Sequence, residues 1–340
     1  MLMERDLRIL LSIVDLYVKD GIPVSSQKVQ EAAGLGISTA TIRNLMAGLE
    51  RRGYLSKQYT SAGRVPTDEG YRCYVNTLLA QRQASEEFSR LFRKTLREEI
   101  MDIGTIMACA SRFLGSITKN FAVVYGSIMQ ESRVSRISLV GLEGTRLLVV
   151  VNLLPEYERT TALRLEKRFS ADVVSRAENL INRVVVGKTL AEAKDALDSI
   201  VRDNVTGEGI ITREVAINRE AIFSGPPAVE LYFEEKEHLL ERSDYFDPVL
   251  LQLLLLLLHN KTYLTSILSK RLAEKTQITI GSENEDEALK PFSLVTAGYR
   301  MGGARGVLGV IGPTRMRYDL ALGIVGTIAK ELQAIGEEYF

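Results

Sequence analysis

Apolar residues return every three or four positions across residues 4–19, at Leu7, Leu10, Leu11, Val14, Tyr17 and Val18, which predicts a helix with one buried stripe. Gly21-Ile22-Pro23 interrupts it, and Ser25 or Ser26 caps a second helix to about residue 33. Gly34 and Gly36 permit a sharp turn, after which Ser38 caps a third helix over residues 39–52. Ile42, Leu45, Met46 and Leu49 share one face of that helix. Ala40, Arg43, Asn44, Ala47 and Arg51 share the other, with Thr39 and Thr41 flanking them near its start. Gly53 ends the helix. Residues 54–59 read as a strand, 60–63 as a turn and 64–66 as a short return strand, and Thr67 or Asp68 then caps a helix to about residue 79.

Beyond this head, residues 85–118 read as one long helix. Strands are predicted over 120–129, 134–142 and 145–153, the last two joined in a hairpin at Gly144, and again over 277–281, 293–301 and 306–311. A closing helix from about Tyr318 carries Ala321, Val325, Ile328, Leu332 and Ile335 on one stripe. Six strands flanked by helices suit one α+β sheet domain. The intervening segment, 160–265, differs in character. It has helices near 171–183 and 190–203, strand-like pieces around 210–216 and 229–233, and then VLLQLLLLLLHN. A helix apolar on all sides must be covered on all sides, which points to an inserted domain hiding it partly against a second copy of the chain. An ordinary core helix is the competing account.

Composition fits a soluble multidomain protein: 340 residues, 46% hydrophobic and 25% charged, with a formal net charge of zero. A nucleic-acid surface therefore has to be local. Residues 39–72 supply one, with six basic residues against three acids. Helix, tight turn, helix and hairpin is the layout of a winged helix-turn-helix, whose second helix enters the major groove. There Arg43 can pair with guanine, Asn44 with adenine, and the methyls of Ala40, Ala47, Thr39 or Thr41 can meet thymine. Ser38 and the helix start favour phosphate, Arg51 lies along the same face, and Lys57, Thr60, Ser61 and Arg64 of the wing reach phosphates or the minor groove.

Catalytic patterns are missing from the sequence. His238 and His259 stand in no metalloprotease or nucleophile motif, and Cys73 and Cys109 are far apart and form no zinc or disulfide pattern. Gly187-Lys188-Thr189 resembles the tail of a phosphate loop, but Asn182 occupies the position of its first glycine. The glycines at 298, 302, 303, 306, 309 and 312 lie between two strands, where a hairpin turn and close strand packing account for them. No cofactor or metal is expected. The N-terminus has acids and no cleavable apolar region, and residues 249–258 fall short of the ~20 apolar residues of a membrane span. A cytoplasmic protein without a membrane partner is the expectation.

The runs ATIRNLMAGLERRGYL, TSAGRVPTDEGYRCYV and GVLGVIGPTRMRYDLA closely resemble the HrcA family of heat-inducible transcription repressors, over residues 5–79 and 276–333 and more loosely between. The wing departs at Tyr59, where many members have His. The resemblance implies a multidomain α+β chain: a winged-helix DNA-binding domain (1–84), a discontinuous GAF-like α+β sheet domain (85–159 and 266–340) and an inserted α+β dimerisation domain (160–265). It also implies a non-enzymatic homodimer on a double-stranded inverted-repeat operator of the CIRCE type, with the GroE chaperonin keeping the repressor active until heat diverts it. Leu250, Leu251, Leu253, Leu254 and Leu257 are then expected at the dimer interface. A GAF-like sheet also leaves open a regulator that answers to a metabolite.

Overall fold

The structure is a computed structural model that describes residues 2–34, 36–57, 63–81, 85–96, 103–128, 133–154, 157–200, 207–223, 229–233, 247–301 and 304–339. Helix α1 (Glu4–Asp20) stops at Gly21, which turns left-handed. Helix α2 (Ser26–Ala33) starts where the Ser25 hydroxyl accepts the Lys28 amide, and α3 (Thr39–Arg51) where the Ser38 hydroxyl accepts the Thr41 amide at 3.2 Å. Between them Gly34 and Gly36 take φ of +56° and +63°, a backbone other residues resist. Strands β1 (Leu55–Ser56) and β2 (Val65–Pro66) pair antiparallel, and Val24 bridges Arg64 on the far side. The Thr67 hydroxyl accepts the Gly70 amide and opens α4 (Asp68–Gln81). Burial on α1 centres on Ile9, Leu10, Ile13 and Val14, rotated from the expected stripe because α2, α3, α4 and β2 all pack on it.

The long helix expected over 85–118 is two helices, α5 (Glu86–Leu96) and α6 (Ile103–Thr118), joined through residues outside the described set. The Phe92 and Phe113 rings lie 5.4 Å apart. On one continuous helix those positions would be separated by ~31 Å, so the chain folds back to bring both apolar faces to one core.

The six expected strands divide between two sheets, which is the main correction to the sequence reading. Strands β3 (Phe121–Ile128), β8 (Gln277–Ile280), β9 (Phe292–Met301) and β10 (Ala304–Pro313) join β7 (Val229–Phe233) in an antiparallel sheet of order β7-β3-β10-β9-β8. Strands β4 (Arg133–Gly141) and β5 (Arg146–Leu154) instead pair with each other, and β5 pairs on its other side with β6 (Tyr157–Arg164), in a separate three-stranded sheet. Residues 157–164 carry few apolar positions and gave no strand signal, yet they supply the partner that draws the hairpin away. This sheet has its own core: Ile137, Val149 and Val151 pack on α7 (Ala171–Val185), α8 (Leu190–Ile200), α9 (Gly207–Ile217) and α10 (Arg219–Phe223). Residues 210–216, read as a strand from their β-branched run, lie in helix α9, because Ile211 and Val215 four positions apart must both face that core. Asn182, the residue that breaks the phosphate-loop pattern, is structural. Its carboxamide donates to the Ile137 carbonyl and accepts the Ile137 amide, both at 2.7 Å, pinning α7 to β4.

Both faces of the five-stranded sheet are covered, so alternate residues of β3 enter different cores. Ala122 and Val124 join α6, the head and the closing helix α13 (Tyr318–Tyr339); its predicted stripe Ala321, Val325, Ile328, Leu332 and Ile335 is buried. Phe121, Val123 and Tyr125 face α11 (Pro248–His259) and α12 (Lys261–Ser269). The glycines of β9 and β10 serve close packing: a Cβ at Gly309 would lie 2.4 Å from the Val295 carbonyl oxygen.

Candidate nucleic-acid interface

Helix α3 presents the expected two faces. Ile42, Met46 and Leu49 are buried against α1 and α2. On the other side Ser38, Ala40, Thr41, Arg43, Asn44 and Arg51 are exposed, with Thr39 and Ala47 half-buried. No ion pair engages Arg43 or Arg51 among the described residues, so two cations and one carboxamide stand in a row on a helix whose back is fixed in a core. The Ser38 hydroxyl is already committed to the Thr41 amide and lies 3.0 Å from the Thr41 hydroxyl, which leaves it a capping role first.

The hairpin side is less free than the sequence suggested. The Arg64 guanidinium donates through Nε to Glu50 at 2.7 Å, and its side chain is only 14% exposed. The Arg64 main chain exchanges two 2.9 Å hydrogen bonds with Val24, and a Cβ at the preceding Gly63 would lie 2.4 Å from the Val24 carbonyl oxygen. Arg64 thus ties the hairpin to the end of α3 and to Val24 just before α2. Lys57 remains more open but sits 3.8 Å from the same Glu50 carboxylate. Thr60 and Ser61, with Tyr59, lie outside the described residues. The sequence reading missed Glu50, which partly neutralises the wing. Its position in the last turn of α3, facing the hairpin, carries no local signal.

The head is seated on the body by a polar contact that sequence patterns did not reveal. Arg72 of α4 donates through Nε to Glu283 at 2.6 Å, through Nη2 to the other Glu283 oxygen, and through Nη2 to the Ile278 carbonyl at 3.0 Å. Asp68 accepts the Ser282 amide at 2.8 Å, across Gly281, whose φ of +53° makes the turn. The Tyr71 and Tyr318 rings lie 5.8 Å apart beneath it. Nearby, the Tyr74 hydroxyl donates to Asp15 at 2.7 Å, and burial raises the pKa of both groups.

Of the five leucines expected at a subunit interface, Leu254 and Leu257 are buried in the chain's own core against β3. Leu250 and Leu251 are half-buried, and Leu253 is exposed. Among large apolar side chains of α11, those most open to solvent are Val249, Leu253 and Leu256. The helix is therefore largely a core helix with one uncovered strip. Among the described residues no helix is long and apolar enough to cross a membrane.

Residues 104–321 match the family model described as the HrcA protein C terminal domain. The chain is 32% identical over 343 residues to the heat-inducible transcription repressor HrcA of Chlorobium phaeobacteroides strain BS1, covering 97% of each chain. It is 32% identical over 330 residues to the protein of the same name from Geobacter sulfurreducens, covering 96% of each. A 28% identical relative of that name comes from Halalkalibacterium halodurans. In fold it resembles a crystal structure of a hypothetical protein, with a TM-score of 0.65 over 99% of both chains at 21% identity.

Proposed function

The chain belongs to the HrcA family of heat-inducible transcription repressors, and we propose that it binds, as a homodimer, an inverted-repeat operator of the CIRCE type upstream of chaperone operons. Helices α2 and α3 with the β1–β2 hairpin form the winged helix-turn-helix of this reading. Arg43 and Asn44 read base edges, Ala40, Thr41 and Ala47 let the helix approach the groove, and Thr39, Ser38 and Arg51 sit over the backbone. The observation that carries it is the exposed row Arg43, Asn44 and Arg51, free of ion pairs among the described residues, on a helix held from behind by Ile42, Met46 and Leu49. Lys57, Thr60 and Ser61 act as wing contacts to phosphate, while Arg64 serves chiefly to hold the wing in place.

The five-stranded sheet corresponds on this reading to the GAF-like domain, and the β4-β5-β6 sheet with its helices to the inserted dimerisation domain. A two-fold dimer matches the two-fold symmetry of an inverted repeat. The strip Val249, Leu253 and Leu256 is apolar surface that association removes from water. The repressor works in the cytoplasm, is maintained by the GroE chaperonin and loses activity when heat-damaged proteins occupy that chaperonin.

Fluorescence anisotropy on an inverted-repeat operator and a scrambled duplex, at two salt concentrations and with or without chaperonin, tests this directly. A preference of about 10³-fold or more for the operator, strengthened by chaperonin, is the expected result. Equal weak binding to both duplexes would overturn it.

A further inference from the structure

A cleft of about 640 Å³ opens between α12, β8 and the turn 281–289, on the body side of the head's seat. Its size falls in the range of small-molecule sites, roughly 300–1,000 Å³. Two polar atoms in its wall are buried and have no hydrogen-bond partner among the described residues: Arg271 Nη1, a donor, and Asn284 Oδ1, an acceptor. Their residues are otherwise firmly held. Arg271 donates from Nη2 to the Thr279 hydroxyl at 2.7 Å. The Asn284 amide nitrogen lies 2.9–3.0 Å from the carbonyl oxygens of Gly281, Leu289 and Phe292. A half-buried guanidinium with no ion-pair partner among the described residues is costly to keep charged, and burial depresses the Arg271 pKa.

The charges around the cleft select among ligands. Three carboxylates line it, but Glu283 is neutralised by Arg72 of the head. That leaves Lys270 and Arg271 facing Glu285 and Asp286, two of each sign. Such a wall carries no net charge, so it gives a polyanion no net attraction and suits a molecule carrying one charge of each kind. We propose that this cleft binds a small zwitterion, an amino acid or short peptide, with its carboxylate on Arg271 and its ammonium on Asn284 and Glu285. A guanidinium presents its N–H groups in a plane that matches a carboxylate, and an ammonium needs acceptors of the kind Asn284 and Glu285 offer. Neither orphan atom is open to solvent, so entry involves a side-chain movement at the wall, where Ser266, Lys270, Glu283 and Glu285 are exposed. Glu283 belongs to the same wall and holds Arg72, so occupancy bears directly on the seat of the head.

Isothermal titration of the full chain tests the site without reference to DNA. The probes are leucine, glutamate and glycyl-leucine, with N-acetyl-leucine, leucinamide and inorganic phosphate as controls. Saturable binding of at least one zwitterion is expected, weakened about tenfold or more when either of its charges is blocked. Arg271→Gln and, separately, the surface change Glu285→Gln should each weaken it to a similar degree. Free amino acids binding better than the dipeptide, or the reverse, identifies the source. The proposal is overturned if no zwitterion binds, if phosphate binds as well as the zwitterions, or if binding survives Glu285→Gln and Arg271→Gln unchanged in folded protein.

Discussion

Helix α11 offers a sharp test, because chemically identical leucines two positions apart should behave as different residues. Leu254 is 0% exposed and belongs to the core with Phe121, Val123 and Tyr125, whereas Leu256 is 62% exposed. Truncating Leu254 to alanine removes buried methyl and methylene groups and leaves a cavity between the helix and a close-packed sheet. The transfer and cavity contributions together amount to about 3–5 kcal/mol. Domains are stable by only about 5–15 kcal/mol, so this is a large fraction of the total. Leu256→Ala removes little buried area and should change the stability of the single chain by no more than about 0.5 kcal/mol. Urea unfolding at low protein concentration, followed by circular dichroism, measures both, and an unchanged slope against denaturant keeps the comparison clean. Leu253→Glu together with Leu256→Glu should spare the fold but shift the sedimentation coefficient from dimer to monomer. If Leu254→Ala costs under 1 kcal/mol, or Leu256→Ala costs more than Leu254→Ala, the assignment of faces on this helix is wrong. A glutamate pair that sediments as a normal dimer removes α11 from the interface.

Other consequences follow from the same geometry. Arg43→Ala should cost about 1–3 kcal/mol on the operator and relax base preference there; equal loss on scrambled DNA in anisotropy titrations would make Arg43 a phosphate contact. Arg64→Ala should lower thermal stability of the head more than it lowers operator preference, because its guanidinium is spent on Glu50; scanning calorimetry beside anisotropy separates the two. Burial pushes the Glu283 carboxyl up, but Arg72 and the Ile280 amide outweigh it and hold the group below its ordinary 4.5. The head's seat is thus strengthened above that pH and loses this contribution as pH falls through the lower folded value, so the protection of the Ser282 amide, taken as its exchange rate relative to the intrinsic rate at the same pH, should fall on acidification in the wild type and fall less in Glu283→Gln. Asn182→Ala should destabilise the β4-β5-β6 module by about 1–3 kcal/mol in urea unfolding, since it orphans the Ile137 amide and carbonyl.

What the sequence made legible is what neighbours along the chain decide. Ser25 and Ser38 cap helices, Gly34 and Gly36 take positive φ, and the stripe of α13 is buried as its spacing requires. The exposed row on α3 was legible for the same reason, since one apolar face implies the opposite one. Decisions made by distant partners were not legible. The β4–β5 hairpin joined a sheet through β6, whose alternation is hidden by its polar residues. Residues 210–216 have β-branched character, yet the core they meet demands contacts at helical spacing. Arg64 looks like any wing cation until Glu50 is folded against it, and Arg271 gives no sign in the sequence that one of its nitrogens is buried without a partner.

The seat of the head links these observations. In the proposed dimer, operator recognition depends on the distance between two α3 helices, because half-sites on one face of the duplex are fixed by its helical repeat. Each head is positioned by α4, and α4 is positioned by the Asp68–Ser282 and Arg72–Glu283 contacts and by Tyr71 against Tyr318. Those partners lie on the turn after β8 and at the start of α13, beside the five-stranded sheet whose other face is covered by α11. On the proposed reading, local opening of the body would change the spacing of the two heads without altering a single side chain of α3. A bound zwitterion at Arg271 would act on the same turn from the other side. Heat sensitivity and ligand response, on this reading, are two perturbations of one mechanical element, and hydrogen exchange at Ser282 reports on both.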